Sequence, residues 1–265
     1  MDVADIATDL QAEQAALDDV LRGLRDDQWA TPTPSPRWTV ADQIAHLAYF
    51  DGTAALAIVD AEGFAAARDA LFAAVVADGE AAIDELTLGR YRKMSPSELL
   101  GAWREDRARL ATAAAGLSAD VRVPWYGPAM SARSFLTARL MECWAHGQDV
   151  VDAVGATRVA TDRLQHIAQL GFITRGWSYS VRGETLPEGS VALELKAPSG
   201  AVWRWGAYDA DDTVRGTALD FCLVVTQRRH VDDTALTCGE LGRHWLLRAQ
   251  AFAGGATTGP SPRGK

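Results

Sequence analysis

Apolar residues recur at three- and four-residue intervals through much of the first half of the chain, which is the spacing of amphipathic helices. The first helix is predicted to run from about Val3 to Leu24. Thr31–Pro36 then alternates proline with polar residues. Because proline disfavours helix before it and lacks a backbone donor, this segment is predicted to be an extended connection. Thr39 and Asp42 match a capping box that opens the next helix.

Two further helical segments follow in the first half. Alanine-rich sequence from about Glu62 to Leu88 favours helix. Ser95, Pro96 and Glu98 then supply a cap, a proline at the first helical position and an acid at the third, which together predict a helix start. The buried side of this helix is predicted to consist of four apolar residues, Leu99, Trp103, Leu110 and Leu117.

The last helix of the first half follows a loop at 123–130, in which Trp125 and Tyr126 lie among proline and glycine. That loop is either the mouth of a pocket or a tightly packed turn. Ser131 begins the helix, which is predicted to end near Gly155, a typical stop residue. Four long antiparallel helices with one long connection predict a helical bundle.

The hydrophobic period changes in the second half. Alternating residues predict strands at 191–196 and 201–205, joined by a hairpin turn at Pro198–Gly200. Trp203 and Trp205 lie on the same strand face, which favours packing over ligand contact. The remaining predicted elements are a helix at 161–179, a strand at 213–216 and helices at 219–227 and 241–252.

These patterns predict an α+β fold with two domains. Residues 1–156 form the helical bundle, and residues 157–253 form a small α+β domain. The tail 254–265 is rich in glycine, proline and threonine and has almost no apolar surface to bury, so we expect it to be disordered.

A possible metal site emerges from two of the predicted helices. Glu142 and His146 are four residues apart, so they share one helix face at a distance that suits two ligands of one ion. His46, from the second predicted helix, would complete a site of two histidines and one carboxylate with open coordination positions. Glu142 and His146 also match an ordinary hydrogen-bonded pair, and His46 a core histidine. Asp149 is a candidate for orienting His146, for a fourth ligand, or for a surface residue.

Composition limits the function classes. The chain has 265 residues and a formal net charge of −9, which argues against nucleic acid or an anionic membrane as a partner. No apolar run reaches the length of a membrane span, and the acidic N-terminus does not match a signal peptide. Three cysteines without close spacing fit a reducing compartment. We therefore expect a cytoplasmic protein, either a monomer or a homodimer.

Other chemistry-bearing residues have weaker patterns around them. Cys143 is expected to be a buried apolar residue, and Cys222 and Cys238 have no evident histidine partner. The histidines at 166 and 244 lie in helical sequence and are expected to be structural. His230 follows two arginines and is a candidate neighbour of an anion.

Two runs carry a family resemblance: RWTVADQIAHL at 37–47 and TARLMECWAHGQD at 137–149. They resemble the mycothiol-dependent maleylpyruvate isomerase family, which belongs to the DinB-like metal-binding bundles. The segment 212–220 resembles part of that family's second, sterol-carrier-like α+β domain. The resemblance implies that His46, Glu142 and His146 hold a divalent metal, which we expect to be zinc. It also makes Arg228 and Arg229 the candidate catalytic arginines that hold a carboxylate-bearing substrate or thiol.

The resemblance implies a metal-dependent enzyme that activates a low-molecular-weight thiol for addition to a small-molecule electrophile, as an isomerase or S-transferase. Abundant arginine and alanine with lysine only at 93, 196 and 265 suggest a GC-rich genome, which makes mycothiol the expected thiol. Two alternatives stay open. One is a thiol-independent metal-dependent hydrolase, isomerase or cyclase, and the other is a non-enzymatic metal-binding or sensing module.

Overall fold

The computed structural model describes residues 2–79 and 81–264. The chain divides into two units, Met1–Arg158 and Val159–Lys265. Helices make up most of the first unit, and a small mixed sheet with helices makes up the second. The predicted α+β class is confirmed.

The first unit is built on four long helices: α1 (Val3–Leu21), α2 (Val40–Val59), α5 (Pro96–Ala114) and α6 (Ala132–Val154). Each of α1 and α2 packs against both α5 and α6, which closes the bundle. Two shorter helices, α3 (Ala61–Asp78) and α4 (Ala81–Leu88), lie between α2 and α5 in the sequence.

The helix starts follow the local capping signals. Thr39 and Asp42 form the predicted capping box of α2, and Ser95 caps α5 with Pro96 in its first turn. Ser131 caps α6, which ends at Gly155 in the left-handed conformation with φ of 65°. The ends differ more, since α1 stops at Leu21 rather than Leu24. Helix α5 stops at Ala114, so Leu117, which was predicted on its buried side, lies beyond the end of the helix and is half-buried.

The loop before α6 contains a two-stranded ribbon, β1 (Arg122–Val123) and β2 (Met130–Ser131). Trp125, between these strands, stacks on Phe64 of α3 with ring centroids 5.6 Å apart and planes 3° apart. It also meets Phe135 edge-on at 5.1 Å. The loop is therefore a tightly packed aromatic turn.

In the second unit, β3 (Val191–Lys196) is the central strand. It pairs antiparallel with β4 (Val202–Trp205) and parallel with β5 (Asp212–Thr217). Gly200, with φ of 91°, lies in the predicted hairpin turn, where a left-handed backbone favours glycine. Trp203 and Trp205 pack edge-on with centroids 6.2 Å apart, as expected for residues on one strand face.

The helices of the second unit are shorter than predicted. The helix at 161–179 is two helices, α7 (Leu164–Ile173) and α8 (Arg175–Ser180), because the backbone leaves the helical conformation at Thr174, with φ of −88° and ψ of 9°. The helix at 219–227 is α9 (Ala218–Val225). The helix at 241–252 is α10 (Glu240–Leu246). It ends early because the backbone beyond it bonds other elements, as Ala251 N donates to Val225 O.

The tail, residues 254–264, contains no helix or strand but makes specific hydrogen bonds. Thr257 donates its backbone N–H to the Gln250 side chain at 3.2 Å and its hydroxyl to Gln227 at 2.7 Å. Its carbonyl accepts from Gln227 Nε2 at 3.1 Å and from Arg182. Polar contacts therefore attach this segment to the second unit, although it has little apolar surface to bury.

A buried ion pair between Asp51 and Arg139 lies inside the bundle. The Asp51 carboxylate, which has no exposed surface, accepts from Arg139 Nη2 at 2.9 Å. Gln14 Nε2 at 2.9 Å and Trp103 Nε1 at 3.2 Å bond its other oxygen. Arg139 lies on α6 one turn before Glu142, so this polar cluster sits beside the candidate metal ligands in the sequence of that helix.

Replacing Arg139 with Met is expected to leave the Asp51 carboxylate buried without its cation. We expect the free energy of unfolding to fall by about 3–5 kcal/mol, measured by urea denaturation. Arg133→Met is the matched control, because Arg133 lies on the same helix and is exposed. Equal stability of the two variants would contradict the structural role given to the buried pair.

Asp18 provides a pH-dependent contribution. Its carboxylate accepts from Arg104 Nε at 2.9 Å and also bonds Arg107. The bond from Arg104 outweighs burial and holds the pKa of Asp18 below its ordinary value. A lowered folded-state pKa stabilises the fold above the unfolded pKa, near 3.9, and the stabilisation is lost as the pH falls through the folded value.

Asp18→Asn is therefore expected to lower the free energy of unfolding by about 1.5–3 kcal/mol at pH 7. The difference from the unmodified chain should shrink in acid, below the unfolded pKa of Asp18. Denaturant titrations across the acid range measure it, with the exposed Asp19→Asn as the control. A difference that stays constant down to acid pH would exclude the carboxylate charge as its cause.

Candidate metal centre

Helices α2 and α6 bring His46, Glu142 and His146 together. The ring centroids of His46 and His146 lie 4.3 Å apart. Glu142 Oε2 lies 3.0 Å from His146 Nε2 and 3.5 Å from His46 Nε2. One ligand atom from each residue falls within 4.8 Å of the other two. These three side chains are the ones that the sequence analysis predicted as metal ligands.

The spacing fits ligands of a single ion. Zinc bonds of 2.0–2.2 Å in tetrahedral geometry place ligand atoms about 3.4 Å apart. The side chains are 16% exposed for His46, 12% for His146 and 25% for Glu142. The three side chains are therefore partly exposed, and the site lies near the surface of the bundle.

The protonation states also suit metal binding. Burial, followed by the charge of His146, lowers the pKa of His46 to about 3, so its imidazole is neutral. Burial opposes ionisation of Glu142, but the two neighbouring imidazoles outweigh it and hold the Glu142 pKa well below its ordinary value. A neutral imidazole and an ionised carboxylate are the forms that bind a divalent cation.

One ring nitrogen of His46 is buried without a hydrogen bond. Its Nε2 atom is buried and makes no hydrogen bond, although Glu142 lies nearby. A satisfied core histidine would have partners for its ring nitrogens. The alternative of an ordinary structural histidine is therefore the poorer description of His46, and the residues present fit a divalent metal.

Gln43 supports His146 and was missed by sequence reasoning. The side-chain oxygen of Gln43 lies 2.6 Å from His146 Nδ1, and Gln43 is fully buried. Asp149 is buried rather than on the helix surface, accepts from the Ser35 hydroxyl at 3.1 Å, and lies 3.9 Å from the same nitrogen. Gln43 precedes His46 by three residues on α2, a spacing that places both on one helix face.

Aromatic rings flank the two histidines. Trp38 lies 5.1 Å from the His46 ring and 5.9 Å from the His146 ring, and Phe50 lies 4.5 Å from His46. Tyr126, in the loop before α6, meets Phe50 edge-on at 5.7 Å. The packed aromatic turn thus continues to the wall of the site through Phe50.

The candidate arginines lie in the second unit, after α9. Arg228 donates from Nη1 to Thr226 O at 2.7 Å, and Arg229 donates from Nη1 to Arg228 O at 2.7 Å. His230, beside them, accepts from Asp232 N at 3.1 Å. This segment belongs to the second unit. A role for Arg228 or Arg229 at the metal centre therefore stays a prediction.

The three cysteines do not offer a thiolate. Cys143 and Cys222 are fully buried, and burial raises the pKa of each well above its ordinary value. Burial, with the nearby Asp212 charge, also raises the pKa of Cys238. Among the remaining histidines, His166 is buried and His244 Nδ1 bonds the Tyr179 hydroxyl at 2.8 Å, both in the second unit.

Comparison with known sequences gives a family. The model of the mycothiol maleylpyruvate isomerase N-terminal domain matches residues 10–151, which include all three candidate ligands. Two proteins, one from each of two Mycobacterium tuberculosis strains and both named as uncharacterised, are 43% identical over 254 residues. The match spans 96% of this chain and 97% of each relative.

Comparison with solved structures gives the fold. Crystal structures of the mycothiol-dependent maleylpyruvate isomerase and of a mutant of it align with TM-scores of 0.58. The alignments cover 89% of this chain and 93% of each of those chains, at 17% and 16% sequence identity. The same fold therefore extends over both units. Within the described residues, no helix combines the length and apolar character of a membrane span.

His46→Ala is expected to remove one ligand and strip bound zinc with little unfolding. We expect the zinc affinity to fall by more than the roughly 10–100-fold typical of losing a supporting residue. Elemental analysis gives the zinc content and thermal unfolding tests the fold. His244→Ala, in the second unit, controls for loss of a histidine elsewhere. Full zinc content in the His46 variant would refute the assignment.

Proposed function

Since the chain belongs to the mycothiol-dependent maleylpyruvate isomerase family, we propose that it is a metal-dependent enzyme that adds a low-molecular-weight thiol to a small electrophile. The observation that carries this proposal is the convergence of His46 Nε2, His146 Nε2 and Glu142 Oε2 at one partly exposed point. Family membership supports isomerase chemistry with mycothiol, and the same site also suits an S-transferase.

The three candidate ligands and the aromatic residues beside them would have separate roles. His46 and His146 supply neutral nitrogen ligands, and Glu142 supplies a negative charge that offsets part of the charge of a divalent cation. Zinc held there would provide Lewis acidity that lowers the pKa of a coordinated thiol. Trp38 and Phe50 lie beside the histidine rings and would form apolar walls of the site.

The nucleophile is proposed to come from outside the chain. Cys143 and Cys222 are buried with raised pKa values, and a thiol rather than a thiolate is a poor nucleophile. A free thiol such as mycothiol removes this difficulty. Its thiolate would add to an electron-poor double bond, the former double bond would rotate, and the thiolate would leave to give the trans isomer. In a transferase the carbon–sulfur bond would persist after protonation of the adjacent carbon.

Arg228 and Arg229 are proposed to hold a carboxylate of the substrate or thiol. A guanidinium binds a carboxylate with paired N–H donors, which suits recognition of an acidic small molecule. This role depends on family resemblance, and its test is whether Arg228→Lys or Arg229→Lys raises KM for an acidic electrophile more than for a neutral one.

The zinc-loaded protein is expected to convert electrophiles only when mycothiol is present, as followed by mass spectrometry of a panel of unsaturated acids. Glu142→Gln should lower turnover by at least about 100-fold because it removes a ligand charge. Glu105→Gln, an exposed change on α5, is the control. Turnover that is independent of thiol would support the metal-dependent alternative, and no turnover with any electrophile would contradict the proposal.

A further inference from the structure

A chain of hydrogen bonds links a backbone carbonyl to the ring of His146. The Thr33 hydroxyl donates to Trp38 O at 2.9 Å. Gln43 Nε2 donates to the Thr33 hydroxyl oxygen at 2.8 Å, and Gln43 Oε1 lies 2.6 Å from His146 Nδ1. The chain thus connects the extended segment before α2 with α2 itself and with α6.

The carbonyl of Trp38 fixes which group donates and which accepts in each of these hydrogen bonds. A backbone carbonyl can only accept, so the Thr33 hydroxyl uses its single proton on Trp38 O. The hydroxyl oxygen must then accept from the next group, which orients the Gln43 amide with its nitrogen toward Thr33. The amide oxygen consequently faces His146, and because it is an acceptor, the proton of the imidazole belongs on Nδ1.

The other ring nitrogen also faces an acceptor. His146 Nε2 lies 3.0 Å from Glu142 Oε2. When the Nδ1 proton is the only proton of the ring, the Nε2 lone pair faces an oxygen lone pair of that carboxyl group. A cation bound by both atoms converts this repulsive contact into an attractive one. The arrangement around His146 is therefore complementary to a cation at Nε2.

We propose that Gln43 is a positioning residue that, oriented by Thr33, fixes His146 in the tautomer whose Nε2 lone pair points to the metal position. This inference rests on the proposed metal site. The acceptor is a neutral amide, since Asp149 lies 3.9 Å from the same Nδ1, beyond hydrogen-bond distance. These hydrogen bonds also orient the His146 ring, because the buried Gln43 contacts Nδ1 while Glu142 contacts Nε2.

Zinc affinity tests the role of the acceptor. Gln43→Leu removes it and should weaken zinc binding by about 10–100-fold, measured by competition with a chromophoric chelator. Gln43→Glu keeps an oxygen acceptor and should restore affinity to within a few-fold of the unmodified chain. Thr33→Val removes the group that orients the amide and should weaken binding in the same direction. Thermal unfolding of each zinc-free variant separates this effect from loss of fold.

Nitrogen-15 NMR of the zinc-loaded protein tests the tautomer directly. We expect a slowly exchanging proton on His146 Nδ1 and a metal-shifted Nε2, with the proton exchanging faster in Gln43→Leu. A metal-bound Nδ1, or equal zinc affinity of the folded Leu and Glu variants, would overturn the inference. Zinc binding with this signature but without thiol-dependent turnover would overturn the proposed function alone. A chain that binds no zinc would overturn both.

Discussion

Compensation of negative charge inside the bundle decides where polar side chains can lie in the helical unit. Asp51 is paired with Arg139, and Asp18 with two arginines. Glu142 differs, because in the described part of the chain its ion-pair partners are the imidazoles of His46 and His146. Unlike a guanidinium, an imidazole carries no permanent positive charge, so a divalent cation bound beside Glu142 would balance a carboxylate at the edge of an apolar interior.

The starts of the helices could be predicted because the forces that set them are local. Thr39, Ser95 and Ser131 each bond a backbone N–H three residues ahead, and these bonds are encoded in four consecutive residues. The ends could not be predicted as well. The segment after Leu246 leaves the helical path because its backbone bonds distant elements, and a helical pattern in the sequence carries no information about those partners.

In the candidate site too, features set by local sequence could be predicted and features set by tertiary packing could not. The spacing of Glu142 and His146 places them on one helix face whatever the tertiary structure. The approach of His46 depends on how α2 packs against α6, so the helical pattern made it only a candidate ligand, which the family resemblance then supported. Trp38 and Gln43 were not recognised, because an aromatic residue and an amide have many uses in a core. The three-residue step from Gln43 to His46 was a usable signal. The bond from Ser35 to Asp149 crosses from a proline-rich segment and leaves no pattern in the sequence.

Attachment of the chain end through Thr257 has a consequence for protein engineering. Gln250 is only 1% exposed, and its side chain bonds Gly255 O at 3.0 Å and Thr257 N at 3.2 Å. A shortened protein that stops soon after Phe252 would remove these two hydrogen-bond partners of a buried amide. Fluorescent or affinity fusions should therefore not be inserted between Gly254 and Thr257, where an insertion would separate these hydrogen-bonded groups.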